Sequence, residues 1–247
     1  MKIILITGAS RGIGAATALL AAEQGYAVAV NYHRNKAAAD KIVSSIHDKG
    51  GKAVAIQADI SREDEVVRLF EETDRLLGKL SSLVNNAGIL EHQMRLVEMD
   101  AARLHRVFTA NITGTFLCSR EAVKRMSLKY GGMGGTIVNV SSVAAKTGSP
   151  SEYIDYAASK GAIDTFTIGL SKELAEEGIR VNGVRPGFIY TDIHAAGGEP
   201  GRVDRLKSGI PLKRGGTAQE VAEAIMWLVS EKSSYSTGAF VDVSGGR

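Results

Sequence analysis

The chain alternates between two hydrophobic rhythms. Short, nearly unbroken runs of Val, Ile, Leu and Ala occupy residues 2–7, 26–31, 52–59, 82–86, 135–141, 179–185 and 239–243. Longer stretches with helical spacing of apolar positions fill residues 12–24, 36–49, 62–77, 101–129, 156–177 and 218–230. A strand reads as a continuous apolar run when helices cover both of its sides, and its alternation with helical stretches predicts repeated βαβ units around a parallel sheet. The expected architecture is α/β: one Rossmann-type domain over residues 1–247, with a doubly wound, seven-stranded parallel sheet carrying helices on both faces. Thr217-Ala218-Gln219-Glu220 predicts a capping box at the start of the last helix, Thr217 and Glu220 satisfying free backbone donors. Residues 190–216 follow neither rhythm, and a long irregular segment in an α/β domain tends to form a substrate lid.

Composition narrows the picture without changing it. Apolar residues make up 44% and charged residues 23% of the 247, which excludes a disordered chain. The net charge of +3 is scattered, with no Lys/Arg block to mark a nucleic-acid arm or a membrane-surface helix, so neither partner is expected. One cysteine, Cys118, cannot close an internal disulfide; it fits a reducing compartment and reads as a small buried hydrophobe. The first apolar run is too short for a signal-peptide core, and no run of about 18 apolar residues appears, so a cytoplasmic protein is expected. His33, His47, His92, His105 and His194 show no metal-ligand spacing, and no metal is expected.

The first strand runs directly into Thr7-Gly8-Ala9-Ser10-Arg11-Gly12-Ile13-Gly14 with a helix behind it. Glycines in such a turn let the backbone approach a pyrophosphate, whose charge the helix N-terminus favours. The spacing G-x-x-x-G-x-G departs from the G-x-G-x-x-G fingerprint, so a purely structural turn stays open on this motif alone. The second strand ends Asn31-Tyr32-His33-Arg34, without the Asp or Glu that would bind an unphosphorylated ribose. Arg34, His33 and the nearby Arg11 suit a 2′-phosphate, so NADP(H) is expected in preference to NAD(H).

Tyr156-Ala157-Ala158-Ser159-Lys160 places a phenol and an ammonium one turn apart on a helix. A phenol is a poor base at neutral pH unless a nearby cation favours its ionised form. Tyr156 then exchanges a proton with a substrate oxygen while hydride moves at carbon. Ser142, just past the fifth strand, is placed to hydrogen-bond the same oxygen, with the adjoining Ser141 as the alternative.

With these motifs in order, the chain resembles the classical short-chain dehydrogenase/reductase family over essentially its whole length. The matching positions are the Thr7–Gly14 loop, Asp59, Asn85-Asn86-Ala87-Gly88, Asn111, Ser142, Tyr156 with Lys160, and Pro186-Gly187. The resemblance implies an oxidoreductase moving hydride between a nicotinamide and a carbonyl or alcohol through a tetrad of Asn111, Ser142, Tyr156 and Lys160. It implies that Gly8, Ser10, Arg11, Gly12, Ile13 and Gly14 cradle the cofactor phosphates, with Asn31, His33 and Arg34 near the adenosine ribose. Asp59 and Ile60 would hold the adenine. Asn86, Ala87 and Gly88 would line the adenosine ribose, and Tyr156 and Lys160 the nicotinamide ribose. Pro186, Gly187, Ile189 and Thr191 would position the nicotinamide. Asn111 would hold a helix kink and a water leading from Lys160.

The pattern is closest to bacterial glucose dehydrogenases and 3-oxoacyl-[acyl-carrier-protein] reductases. Glu91, His92, Gln93, Glu152, Asp155, Asp192 and His194 around the expected pocket favour a small polar substrate such as a sugar, with an acyl carrier substrate as the alternative. A non-catalytic NADP(H)-binding sensor or scaffold ranks lower, because such relatives usually lose the Tyr/Lys pair or the glycine loop. The resemblance also implies a homotetramer built through the two long helices and the C-terminal strand.

Overall fold

The computed structural model describes residues 1–247. Seven strands, β1 (Ile3–Ile6), β2 (Ala27–Tyr32), β3 (Ala53–Gln57), β4 (Ser82–Asn85), β5 (Gly135–Val140), β6 (Ile179–Pro186) and β7 (Phe240–Val243), form one sheet in the order β3-β2-β1-β4-β5-β6-β7. Every neighbouring pair is parallel, with Ile4 opposite both Val28 and Ser82 in the central register. Ten helices connect and flank them: α1 (Gly12–Glu23), α2 (Lys36–Asp48), α3 (Glu63–Leu76), α4 (Ala101–Phe108), α5 (Gly114–Met126), α6 (Ala144–Thr147), α7 (Ile154–Glu173), α8 (Ile193–Ala196), α9 (Arg202–Leu206) and α10 (Ala218–Val229). This is the doubly wound α/β fold expected from the hydrophobic rhythms.

The continuous apolar strands are explained by what covers them. Ile4, Leu5 and Ile6 of β1 are fully buried although successive side chains point to opposite sides. One face packs under α1, α2 and α10, with Ala18, Ile46, Val221 and Ile225 in its core. The other packs under α3, α5 and the end of α7, with Leu69, Phe70, Cys118 and Met126. Burying a side chain the size of Phe70 or Leu69 contributes about 2 kcal/mol, so both faces are driven by the same term. Cys118 is fully buried as expected. The capping box at α10 is present: Thr217 accepts from the Glu220 N–H and Glu220 from the Thr217 N–H.

Three expectations are corrected. The stretch 101–129 is not one helix. It breaks at Thr109–Thr113 into a π-helical turn between α4 and α5, because the Asn111 side chain leaves the helix to hold another segment. The stretch 156–177 starts earlier, at Ile154, and ends at Glu173, with a 3-10 turn at Ala175–Glu177. Residues 190–216 are not wholly irregular, since α8 and α9 lie within them.

The chain order reverses between β1 and β4, where the connections from the sheet's two halves leave in opposite directions. A crevice opens at the carboxyl ends of these strands, the place where ligands bind in open α/β sheets.

Candidate active site

That crevice is a cavity of 1490 Å³ running across the strand ends. One end is built by the glycine turn after β1. Gly8 and Gly12 stand at φ +63° and +55°, backbone conformations that favour glycine. A Cβ on Gly14 would lie 2.5 Å from both Asn86 Nδ2 and Gly8 O, so the turn closes only around a bare backbone. Arg11, at the N-cap of α1, makes no side-chain capping bond, and the helix has no acidic residue in its first turn. Its free N–H groups and positive dipole end therefore face the cavity, a built phosphate cradle.

The side chains around the cradle divide into those that hold it and those left free. Asn31 is buried; its Oδ1 accepts from Gly8 N at 3.1 Å and its Nδ2 donates to Ala58 O at 3.1 Å. Asn86 Nδ2 donates to Thr7 O and Gly8 O at 2.9 and 3.1 Å. Thr7, which the sequence reading left out of the site, clips the ends of β1 and β4 together: its hydroxyl accepts from Asn86 N and Ala87 N, both at 3.0 Å. Arg11 and Arg34, by contrast, are exposed at the cavity rim and form no ion pair. His33 lies 3.4 Å from Asp59. Burial pushes the Asp59 carboxyl up, but hydrogen bonds from Ser61 and the nearby His33 outweigh it and hold the group below the usual carboxylate range.

At the other end stand the residues of the expected tetrad. Tyr156, in the first turn of α7, lines the cavity together with Ser142. Burial, opposed by the neighbouring Ser142 hydroxyl, pushes the phenol up to about 12. The two candidate serines separate cleanly. Ser141 is buried with its hydroxyl donating to Lys160 O at 3.2 Å, whereas Ser142 is only partly buried, and its hydroxyl accepts from Ala144 N at 3.1 Å. Lys160 Nζ donates to Val140 O at 2.8 Å and sits 5.5 Å from the centre of the Tyr156 ring. Burial lowers Lys160 to about 8, opposed by Asp164 one turn further along α7.

Asn111 lies behind this group rather than in the cavity lining. Its Oδ1 accepts from Ile89 N at 2.8 Å, while Nδ2 donates to Ile89 O and Ser159 Oγ, both at 3.1 Å. These bonds account for the π-helical turn, a backbone irregularity frequent at functional sites. A Cβ on Gly88 would stand 3.2 Å from Asn111 Oδ1 and 3.6 Å from Lys160 Nζ, so a bare glycine is what lets those groups close around it. Gly8, Ser10, Gly12, Ile13, Ile60, Ala87, Gly88, Pro186, Gly187, Ile189 and Thr191 all line the cavity, and Gly14 lies just behind it. Thr191 reaches across the crevice: a Cβ on Gly12 would meet its methyl at 3.4 Å.

The polar residues expected to face a substrate are mostly committed elsewhere. Glu91 pairs with Arg106 at 2.8 Å, Gln93 donates to Glu199 at 2.6 Å and Asp155 pairs with Arg103 at 2.7 Å. Glu152 pairs with Arg202, and His194 is buried with Nε2 3.0 Å from Ile189 O. His92 and Asp192 remain unengaged. Leu90, Val143, Tyr153, Phe188 and Ile193 line the substrate end beside Glu152, Asp192, His194 and Arg202. Arg202 lies over the Tyr153 and Phe188 rings, and Arg247 over Phe188.

A glycine cradle at the β1–β4 reversal, with a Tyr–Lys pair and a serine at the far end, defines a Rossmann-fold oxidoreductase site. The sequence model of the family described as enoyl-(acyl carrier protein) reductase matches residues 8–247. The Uncharacterized oxidoreductase YgfF of Escherichia coli (strain K12) is 62% identical over 247 residues, covering 100% of both chains. A 3-oxoacyl-[acyl-carrier-protein] reductase of Synechocystis sp. is 40% identical, covering 99% of this chain and 96% of its own. Among solved structures, a dehydrogenase/reductase from Sinorhizobium meliloti 1021 has a TM-score of 0.91 at 34% identity, covering 99% of this chain and 94% of that one. The chain belongs to the short-chain dehydrogenase/reductase family, and is an oxidoreductase of a family that implies a nicotinamide cofactor.

Proposed function

We propose that the protein is an NADP(H)-dependent reductase of carbonyl compounds, acting between carbonyl and alcohol. One observation carries this reading: Tyr156, with Ser142 in the same cavity lining and Lys160 behind it, shares that cavity with an uncapped helix N-terminus built around Gly8, Gly12 and Gly14. When bound there, the nicotinamide supplies the hydride. Gly12, Ile13 and the cradle N–H groups bind the phosphates, and the unpaired Arg11 and Arg34 meet the 2′-phosphate. Ser142 orients the substrate oxygen toward the phenol. Tyr156, kept protonated by its partly desolvated setting, donates the proton as negative charge develops on that oxygen. Lys160 supplies the positive charge that eases the proton's departure.

The committed carboxylates and the apolar lining turn the substrate reading away from a sugar. Leu90, Tyr153, Phe188 and Ile193 suit a carbonyl with an apolar arm, and several relatives are named 3-oxoacyl-[acyl-carrier-protein] reductases. We therefore favour a 3-oxoacyl thioester or a ketone of similar polarity, in a homotetramer. The test pairs acetoacetyl thioester plus NADPH with glucose plus NADP⁺. Thioester reduction with NADPH favoured over NADH is expected, the preference shrinking about tenfold or more in Arg11→Ala plus Arg34→Ala. Turnover of glucose alone, or equal use of NADH, overturns this assignment.

A further inference from the structure

The first turn of α7 carries Tyr156 on an unpromising foundation. Ser149 and Ser151, just before it, stand at φ +42° and +61°, where a side chain is strained. Tyr153, the N-cap residue, makes no side-chain bond to the helix's free N–H groups. The turn is held from outside the helix: Met94 N donates to Glu152 O at 3.0 Å and Tyr153 Oη to Gly197 O at 3.2 Å.

Arg103, in the first turn of α4, meets it from the side. Its Nε donates to Asp155 Oδ2 at 2.7 Å and its Nη2 to Asp155 Oδ1 at 3.3 Å, a two-pronged pair with the residue adjoining Tyr156. Its Nη1 donates to His92 O at 2.7 Å and lies 3.8 Å from the Met94 sulfur. Both partners are almost completely buried, with side-chain exposures of 4% and 1%. The guanidinium thus ties two walls of the cavity to one strut: the turn holding Tyr156, and the segment holding Leu90, whose near end Asn111 clamps at Ile89.

Stability alone does not account for such a pair. Two ions taken out of water pay a desolvation penalty that well-packed apolar side chains of similar volume avoid. Apolar side chains cannot, however, reach the His92 carbonyl or fix a two-pronged geometry.

We propose that Arg103 and Asp155 are positioning residues: the buried pair sets the Tyr156 turn in register with the segment 89–94, whose Ile89 and Leu90 line the cavity. The inference rests on Tyr156 being the proton donor. Its test compares Arg103→Met combined with Asp155→Leu, a pair that refills the space with apolar atoms, and Asp155→Asn alone, which keeps the shape and one acceptor for Arg103. Each is measured for kcat and KM on a carbonyl substrate that the unsubstituted protein reduces, for NADPH affinity by fluorescence, and for Tm.

The double variant should melt near the unsubstituted protein and bind NADPH within about twofold of its affinity. Its kcat should nonetheless fall at least about tenfold and its KM rise, since small misplacements of reacting groups cost up to about 100-fold. Asp155→Asn should show the same split, less deeply, and decides the matter if the double variant fails to fold. A folded variant with unchanged kcat and KM, or a loss of NADPH affinity as large as the loss of kcat, overturns the proposal. Absence of turnover by the unsubstituted protein is a separate result: it overturns the reductase reading, and the positioning role with it.

Discussion

Lys160 is buried and Tyr156 half-buried, and burial acts on them in opposite chemical senses. It disfavours the charged form of each, so the phenol is pushed up to about 12 and the lysine down to about 8. Tyr156→Phe removes the donated proton while keeping the ring, so turnover should fall at least about 100-fold with NADPH still bound. Near-normal turnover would place the acid elsewhere. Lys160 carries its own pH signature. Its folded pKa lies below the ordinary 10.5, so the folded state sheds the proton first. The cost of burying the charge is complete below about pH 8 and is relieved as pH rises toward the unfolded value. Lys160→Met should therefore stabilise the protein by up to about 3 kcal/mol near pH 7, with the gain shrinking between about pH 8 and pH 10.5. A stability difference flat across that window would show that the lysine is not buried as a cation. The same titration predicts that kcat/KM for reduction declines above about pH 8, as Lys160 loses its charge in the free enzyme.

At the scale of elements, the strands were legible to within about two residues, and so were the helices flanking the site except α7, which ends at Glu173 rather than residue 177, because two-sided burial writes itself as unbroken apolar runs. The break within 101–129 was not, since nothing in that stretch's own periodicity announces it. Only the resemblance assigned a kink to Asn111, and the cause is a set of bonds to Ile89 and Ser159, distant in the chain. The same blindness explains the substrate wall. Glu152, Asp155 and Glu91 read as free acceptors, while their partners Arg202, Arg103 and Arg106 lie on other segments that only the folded chain brings near. The glycine turn was legible in position, and the structure adds why each glycine is needed. Gly14→Ala sets a methyl against Asn86 Nδ2 and the Gly8 carbonyl. It should lower NADPH affinity at least about tenfold and destabilise by about 1–3 kcal/mol, an overpacking cost. Unchanged cofactor binding in a folded Gly14→Ala variant would remove this turn from the phosphate site.

The whole molecule leaves apolar surface that a lone chain has no use for. On one side, Phe116 of α5 and Phe166 of α7 stack with ring centres 3.9 Å apart, and Phe116 and Ile168 remain 46% and 42% exposed. On another side, β7 is an edge strand whose Phe240, Val241 and Val243 are only partly covered, and α10, which touches β7, carries a Trp227 that is 43% exposed. An open edge with apolar side chains invites pairing with another chain unless something closes it. Two self-complementary patches on different sides close an assembly of four without growing a filament, and a net charge of only +3 offers little self-repulsion against it. We therefore expect light scattering at micromolar concentration to give four times the 26.2 kDa chain mass. Phe116→Asp should split the assembly into dimers joined through the β7 side. Trp227→Asp on α10 should leave dimers joined through α5 and α7, and the two changes together should leave monomers. A monomer mass for the unsubstituted protein would refute the tetramer, and an undisturbed tetramer in Phe116→Asp would show that the α5–α7 face is not one of its contacts.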